Sequence, residues 1–163
     1  MESHFKRRVA LRPKRSKEEQ IIVWMGVIAQ LARTRNNQIL RESDLPYPQF
    51  VLLLHFCHDP DRDWTVSSLA RAFQRKQPGI TKTVRQLLDR GFLRTRTDET
   101  DARVKLLRVS ARGIRARDAA MTRLAPAFAE DFRSWKRSEV SELHRLVERL
   151  KNHLDEERDG AGS

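Results

Sequence analysis

The residues best suited to chemistry lie between Gln77 and Gln86. Gln77, Gly79, Thr81, Lys82, Thr83, Arg85 and Gln86 are small, hydrogen-bonding or cationic, and no acid interrupts them before Asp89. Short donors and acceptors beside cations suit close approach to base edges and bonding to phosphates. An ordinary solvated helix face has the same composition, so this segment alone does not decide the matter. A second set shifts the balance. Arg94, Arg96, Arg103, Lys105 and Arg108 load a strand-turn-strand pattern, and a cationic β-ribbon can place its tip in a minor groove. Arg103 is the choice for the tip contact. Asp101, two residues earlier, either orients the Arg103 guanidinium, the preferred reading, or forms an exposed pair of small energetic value.

Other reactive side chains are few. Trp24, His55 and His58 suit the walls of a pocket for a small organic anion, although core packing is the preferred reading for Trp24. His55, Cys57 and His58 do not have a spacing that closes a zinc site, and no metal is expected. Cys57 sits among Leu53, Leu54 and Phe56 and reads as a buried structural thiol. A lone cysteine makes no internal disulfide and fits a reducing compartment. There is no Gly-rich phosphate loop, nucleophile elbow or pair of carboxylates in a plausible cleft, so neither an enzyme nor a cofactor is expected.

Charge distribution supports a polyanionic partner. Of the net +11, residues 1–17 carry seven Lys/Arg against Glu2, and residues 65–117 carry fourteen Lys/Arg against four acids, which leaves the remainder at −5. Positive charge is thus confined to a tail and a central segment, as a nucleic-acid-binding face requires. The central segment lacks the apolar face and interfacial aromatics of a membrane-lying helix. No apolar run approaches the roughly 20 residues that span a bilayer, and no signal-peptide core follows the basic start. A soluble cytoplasmic protein is expected.

The elements that must position these residues read mainly as helices in one domain. Residues 1–17 form a basic flexible tail that either adds phosphate contacts or only solubilises. Residues 18–44 form an N-terminal helix opened by a Ser16 to Glu19 capping box, with a stripe of Ile21, Ile22, Met25, Ile28 and Leu31 wide enough to need more than one packing partner. Residues 45–113 form the central unit. It holds a buried helix after Pro48, a short helix capped by Thr65, a helix from Gln77 closed by Gly91, and strands from Phe92 and Val104 around a polar tip. Residues 114–158 are helical, with Pro126 expected to kink or divide them, and 159–163 form a flexible tail.

Thr65-Val66-Ser67-Ser68-Leu69-Ala70, then Gln77 through Val84, Leu87-Leu88-Asp89-Arg90-Gly91-Phe92-Leu93, Asp98 through Arg103, and Val109 through Gly113 occur in the order found in the MarR family of regulators. The sequence resembles that family over essentially all its ordered length. The resemblance implies a mainly α winged helix-turn-helix with a small β-wing, and N- and C-terminal helices that intertwine two subunits. It also implies a homodimer reading a pseudo-palindrome in double-stranded DNA, and a repressor released by a small aromatic or phenolic effector. Two positions depart from the family pattern, Ala102 where Arg is usual and Ser68 where Glu is common. The alternative reading is a protein-docking or architectural nucleic-acid-binding module on the same fold.

Overall fold

A computed structural model describes residues 16–43 and 45–160. The chain forms α1 (Lys17–Ile39), α2 (Tyr47–His58), α3 (Val66–Ala72), α4 (Gln77–Asp89), β1 (Leu93–Thr97), β2 (Lys105–Val109), α5 (Ala111–Asp131) and α6 (Arg137–Gly160). The winged helix-turn-helix expected from the sequence is the fold observed.

Local chemistry sets the boundaries. Ser16 and Glu19 exchange the two bonds of a capping box at α1. Thr65 caps α3 in the same way with Ser68, whose hydroxyl accepts from the Thr65 N–H at 2.9 Å. Serine therefore does at position 68 what Glu would do, and that departure costs the cap nothing. Gly91, at φ 68°, ends α4 with a paired turn in which Phe92 N–H donates to Leu87 O and Gly91 N–H to Leu88 O, both at 2.8 Å. The same turn closes α3, but there Gln74 holds the left-handed position at φ 48°. Pro126 neither divides α5 nor ends it. The helix runs on to Asp131, and the break falls between Phe132 and Lys136.

α2 is the centre of the core. Phe50, Leu52, Leu53 and Phe56 are buried against Leu69 of α3, Val84 and Leu87 of α4, Leu107 and Val109 of β2, and Ala120 and Leu124 of α5. The hairpin pairs Leu93 with Val109 and Thr97 with Lys105. Trp64 adds a short third rung, exchanging two backbone bonds with Leu107 at 2.7 and 3.0 Å. This rung places Trp64, two residues before α3, against the middle of β2.

The helices that flank this unit are different. α1 buries Asn36, and Leu40 just beyond it, but Ile21, Ile22, Trp24, Val27, Ile28 and Leu31 are exposed, as are Leu143, Leu146, Val147 and Leu154 of α6. Trp24 is thus not a core residue of the single chain.

One joint connects the central unit to α5. Ser110 Oγ donates to Gly91 O at 2.7 Å and accepts from Gly113 N–H at 3.0 Å, while Ser110 N–H donates to Phe92 O. A Cβ at Gly113 would stand 2.2 Å from Phe92 O and 3.0 Å from Val109 Cγ2. Helix propensity favours Gly113→Ala by about 1 kcal/mol. The clash outweighs it, and the variant should lose about 2 kcal/mol or more in equilibrium urea unfolding. An unchanged urea midpoint would show that the joint is softer than its geometry implies.

Candidate nucleic-acid interface

The second helix of the helix-turn-helix, α4, buries Ile80, Val84 and Leu87 and leaves the opposite side to solvent. Gln77, Pro78, Thr81, Lys82 and Arg85 border one shallow concavity on that side. The Thr81 hydroxyl donates to Gln77 O at 2.9 Å, and the residue is exposed. Gly79 is exposed, and a Cβ there would meet nothing within 4 Å, so packing within the chain does not require glycine at this position.

Two of the expected contact residues face elsewhere. Thr83 donates to Gly79 O at 3.2 Å and lines a cavity shared with Arg33, Tyr47, Val51, Phe73 and Ile80. Gln86 accepts from Gln49 Nε2 at 3.2 Å, and the Gln49 carbonyl accepts from Arg90 Nη1 at 3.1 Å. Buried Gln49 thereby ties α2 to α4 at two points. This tie is not legible in the sequence, because a single Gln in an apolar helix has no periodic signal.

The hairpin is cationic, but not all its charges are free. Arg96 donates to Asp63 at 2.5 Å and Arg108 at 3.1 Å, and Arg96 also meets Glu99 at 3.5 Å. Arg94 lies beside them on the same hairpin face, and Lys105 Nζ donates to Thr97 Oγ1 at 2.8 Å. At the tip, Asp98 Oδ1 accepts from Thr100 N–H, Thr100 Oγ1 and Asp101 N–H. Asp101 Oδ1 accepts from Arg103 N–H at 2.9 Å. The bond that Asp101 makes therefore shapes the backbone under Arg103 and does not reach the guanidinium, contrary to the orienting role preferred from sequence. Arg103 itself is exposed. Asp63 was missed; the clue available was the surplus of arginines on one face of a short ribbon, which demands a nearby carboxylate.

Trp24, His55 and His58 do not form one pocket on this chain. The His55 ring packs 4.3 Å from Trp64 and 5.0 Å from Phe73, His58 is exposed at the end of α2, and Trp24 is exposed on α1. Cys57 is half-buried, and burial pushes its thiol pKa up against the lowering effect of Arg117. Among the described residues, no group of three or more His, Cys, Asp or Glu is placed to hold a metal, and no helix is long and apolar enough to cross a membrane.

Residues 43–104, which include α2, α3, α4 and the hairpin up to the wing tip, match the sequence profile of the MarR family. The winged-helix region of this chain is thus similar in sequence to the MarR family. No curated protein matches the chain. Among solved structures, MarR from E. coli in its apo form superposes with a TM-score of 0.69 at 16% identity, covering 85% of this chain and 98% of that one. A MarR-family transcriptional regulator from Rhodococcus sp. RHA1 gives 0.68 at 18% identity, covering 84% and 97%. A MarR protein from Peptoclostridium difficile gives 0.69 at 16% identity and covers 97% of both chains. At these identities the likeness establishes a shared fold.

Asp63 gives a prediction about acid. Hydrogen bonds from Arg96 and then Arg108 hold its carboxyl below the ordinary carboxylate range. A depressed native pKa contributes stability above the unfolded value, about 4, and loses it as pH falls through the native value. Asp63→Asn should therefore be less stable than wild type at pH 7, with the gap closing as pH drops below about 4. Urea midpoints of both proteins at the two pH values measure this, and a gap that is constant with pH would refute the clamp.

Proposed function

We propose that the chain is a dimeric, sequence-specific regulator of transcription that reads double-stranded DNA with α4 and the wing. The observation that carries the proposal is the outer side of α4. Gln77, Thr81, Lys82 and Arg85 share one exposed surface free of acids until Asp89, on the second helix of a helix-turn-helix. Side chains of this kind bond base edges and phosphates when such a helix lies in a major groove. Arg103, on the stapled wing tip, is assigned to the minor groove, with Arg94 and Lys105 on the adjacent backbone. Arg96 is assigned to holding the wing through Asp63, while Gly79 allows close approach of the helix. Thr83 and Gln86 serve mainly to seat α4.

Dimerisation is supported by the apolar side chains that α1 and α6 leave in solvent. Ile28 and Leu31 are 63% and 65% exposed, and a continuous stripe of this size on a soluble chain marks an association surface. A second copy of the chain is the assigned occupant, pairing the two reading helices for a pseudo-palindrome. A cavity of about 260 Å³ between α1, α2, the turn after α3 and α4 gives a small aromatic or phenolic effector room between the dimer helices and the reading unit, in support of a repressor released by ligand.

Two experiments test the reading. Genome-wide selection of bound duplex fragments by the purified chain at about 150 mM salt should enrich a pseudo-palindrome. On that site, Lys82→Ala and Arg85→Ala should each lower affinity by about 1–3 kcal/mol, and the phosphate-bound residue of the two should reduce the salt slope by about 1. Unchanged affinity at equal folding removes α4 from the interface. Separately, Ile28→Glu combined with Leu31→Glu should convert the dimer to monomer in light scattering and abolish tight operator binding; a dimer that survives both charges must use another surface.

A further inference from the structure

At the C-terminal end of α4, Arg90, Arg112, Arg115 and Arg123 line a single cleft of about 340 Å³. Three of them come from α5, where positions 112, 115 and 123 fall on one helix face with Ala119 between them. The alanine leaves room where a larger side chain would fill the recess. Among the described residues lining the cleft there is no Asp or Glu. Four arginines around one recess concentrate positive charge there, and an anion bound among them offsets their mutual repulsion.

Part of the site is already fixed. Arg90 donates to Gln49 and lies 4.6 Å over the Phe92 ring, and Arg112 lies 5.6 Å from the same ring. A held guanidinium loses less entropy on binding than a free one. The cleft is also separate from the reading surface. α4 has 13 residues, about 20 Å of helix, and Gln77 and Pro78 stand at its other end.

We propose that this cleft binds a small ligand bearing two or more phosphate groups. Planar guanidinium forks match pairs of phosphate oxygens, and several forks around one recess suit adjacent phosphates better than a lone carboxylate. A concave recess of this volume fits a compact anion, whereas a duplex offers phosphates on a convex ridge. None of this depends on what α4 reads.

Calorimetric titration of the full chain with inorganic pyrophosphate at about 150 mM salt is the test, because weak surface pairing is screened there. Saturable binding at one site per chain is expected. Arg112→Ala with Arg115→Ala should weaken it at least about tenfold, Arg123→Ala should weaken it in the same direction, and Lys82→Ala on the reading surface should leave it unchanged. Circular dichroism establishes that each variant is folded. Absence of saturable binding, equal binding by the double variant, or an equal loss in Lys82→Ala overturns the proposal. It is also overturned if the double variant binds pyrophosphate normally yet weakens every duplex alike, since the arginines would then belong to the DNA surface.

Discussion

The arrangement of the helix-turn-helix and its hairpin depends on the contact between Ser110 and the end of α4. The Ser110 hydroxyl is shared between Gly91 O and Gly113 N–H, so a single side chain fixes the exit of α4, the end of β2 and the first turn of α5. Phe92 O and the backbone of Gly113 are too close there for any side chain at 113. The left-handed turn at Gly91 lets Phe92 and Leu93 turn inward immediately, and both are buried. Helix, wing and the long α5 are thus set relative to each other by short-range bonds, and the core under α2 supplies the cohesion that keeps the bonds dry.

Electrostatics imposes the second constraint. The hairpin carries several arginines, and arginines on one face of a short ribbon repel. Asp63 resolves this by taking two of them, Arg96 and Arg108, while Trp64 next to it is bonded to Leu107. The clamp spends two cations on position and leaves Arg103 at a tip stiffened by Asp98 and Asp101. A wing held in this way loses less freedom on binding than a mobile one. Total charge is therefore a poor guide to which cations are available for a partner.

What was legible in the sequence was local or periodic. The caps at Ser16 and Thr65, the stop at Gly91, the apolar face Ile80, Val84 and Leu87, and the two strands around a polar tip each follow from residues within one or two turns of one another. The site was less legible because its organisation is long-range. Asp63 lies 33 residues from Arg96 and 45 from Arg108, and Gln49 lies 37 from Gln86, separations at which no pattern of spacing operates. Asp101 failed for another reason, since a carboxylate two residues from an arginine reaches a backbone N–H more cheaply than a flexible guanidinium. Pro126 was overestimated. The exposed ring sits in a 21-residue helix whose Ala120 and Leu124 are fully packed, and this packing carries the helix past it.

α5 connects these local facts to the behaviour of the whole. Its first turn is locked to the wing by Ser110, and its last residue, Asp131, forms a two-pronged ion pair with Arg35 of α1. Twenty-one residues of helix span about 31 Å between those anchors. One continuous helix thus joins the end of α1 to the base of the wing. In the proposed dimer, whose interface is the apolar side of α1 and α6, the separation of the two reading helices follows from this helix and from the angle at which the two copies cross. An effector of the proposed kind, seated in the cavity that α1, α2 and α4 line, would touch Arg33 of α1 and Thr83 of α4 at once, and so would act on the seat of the reading helix directly.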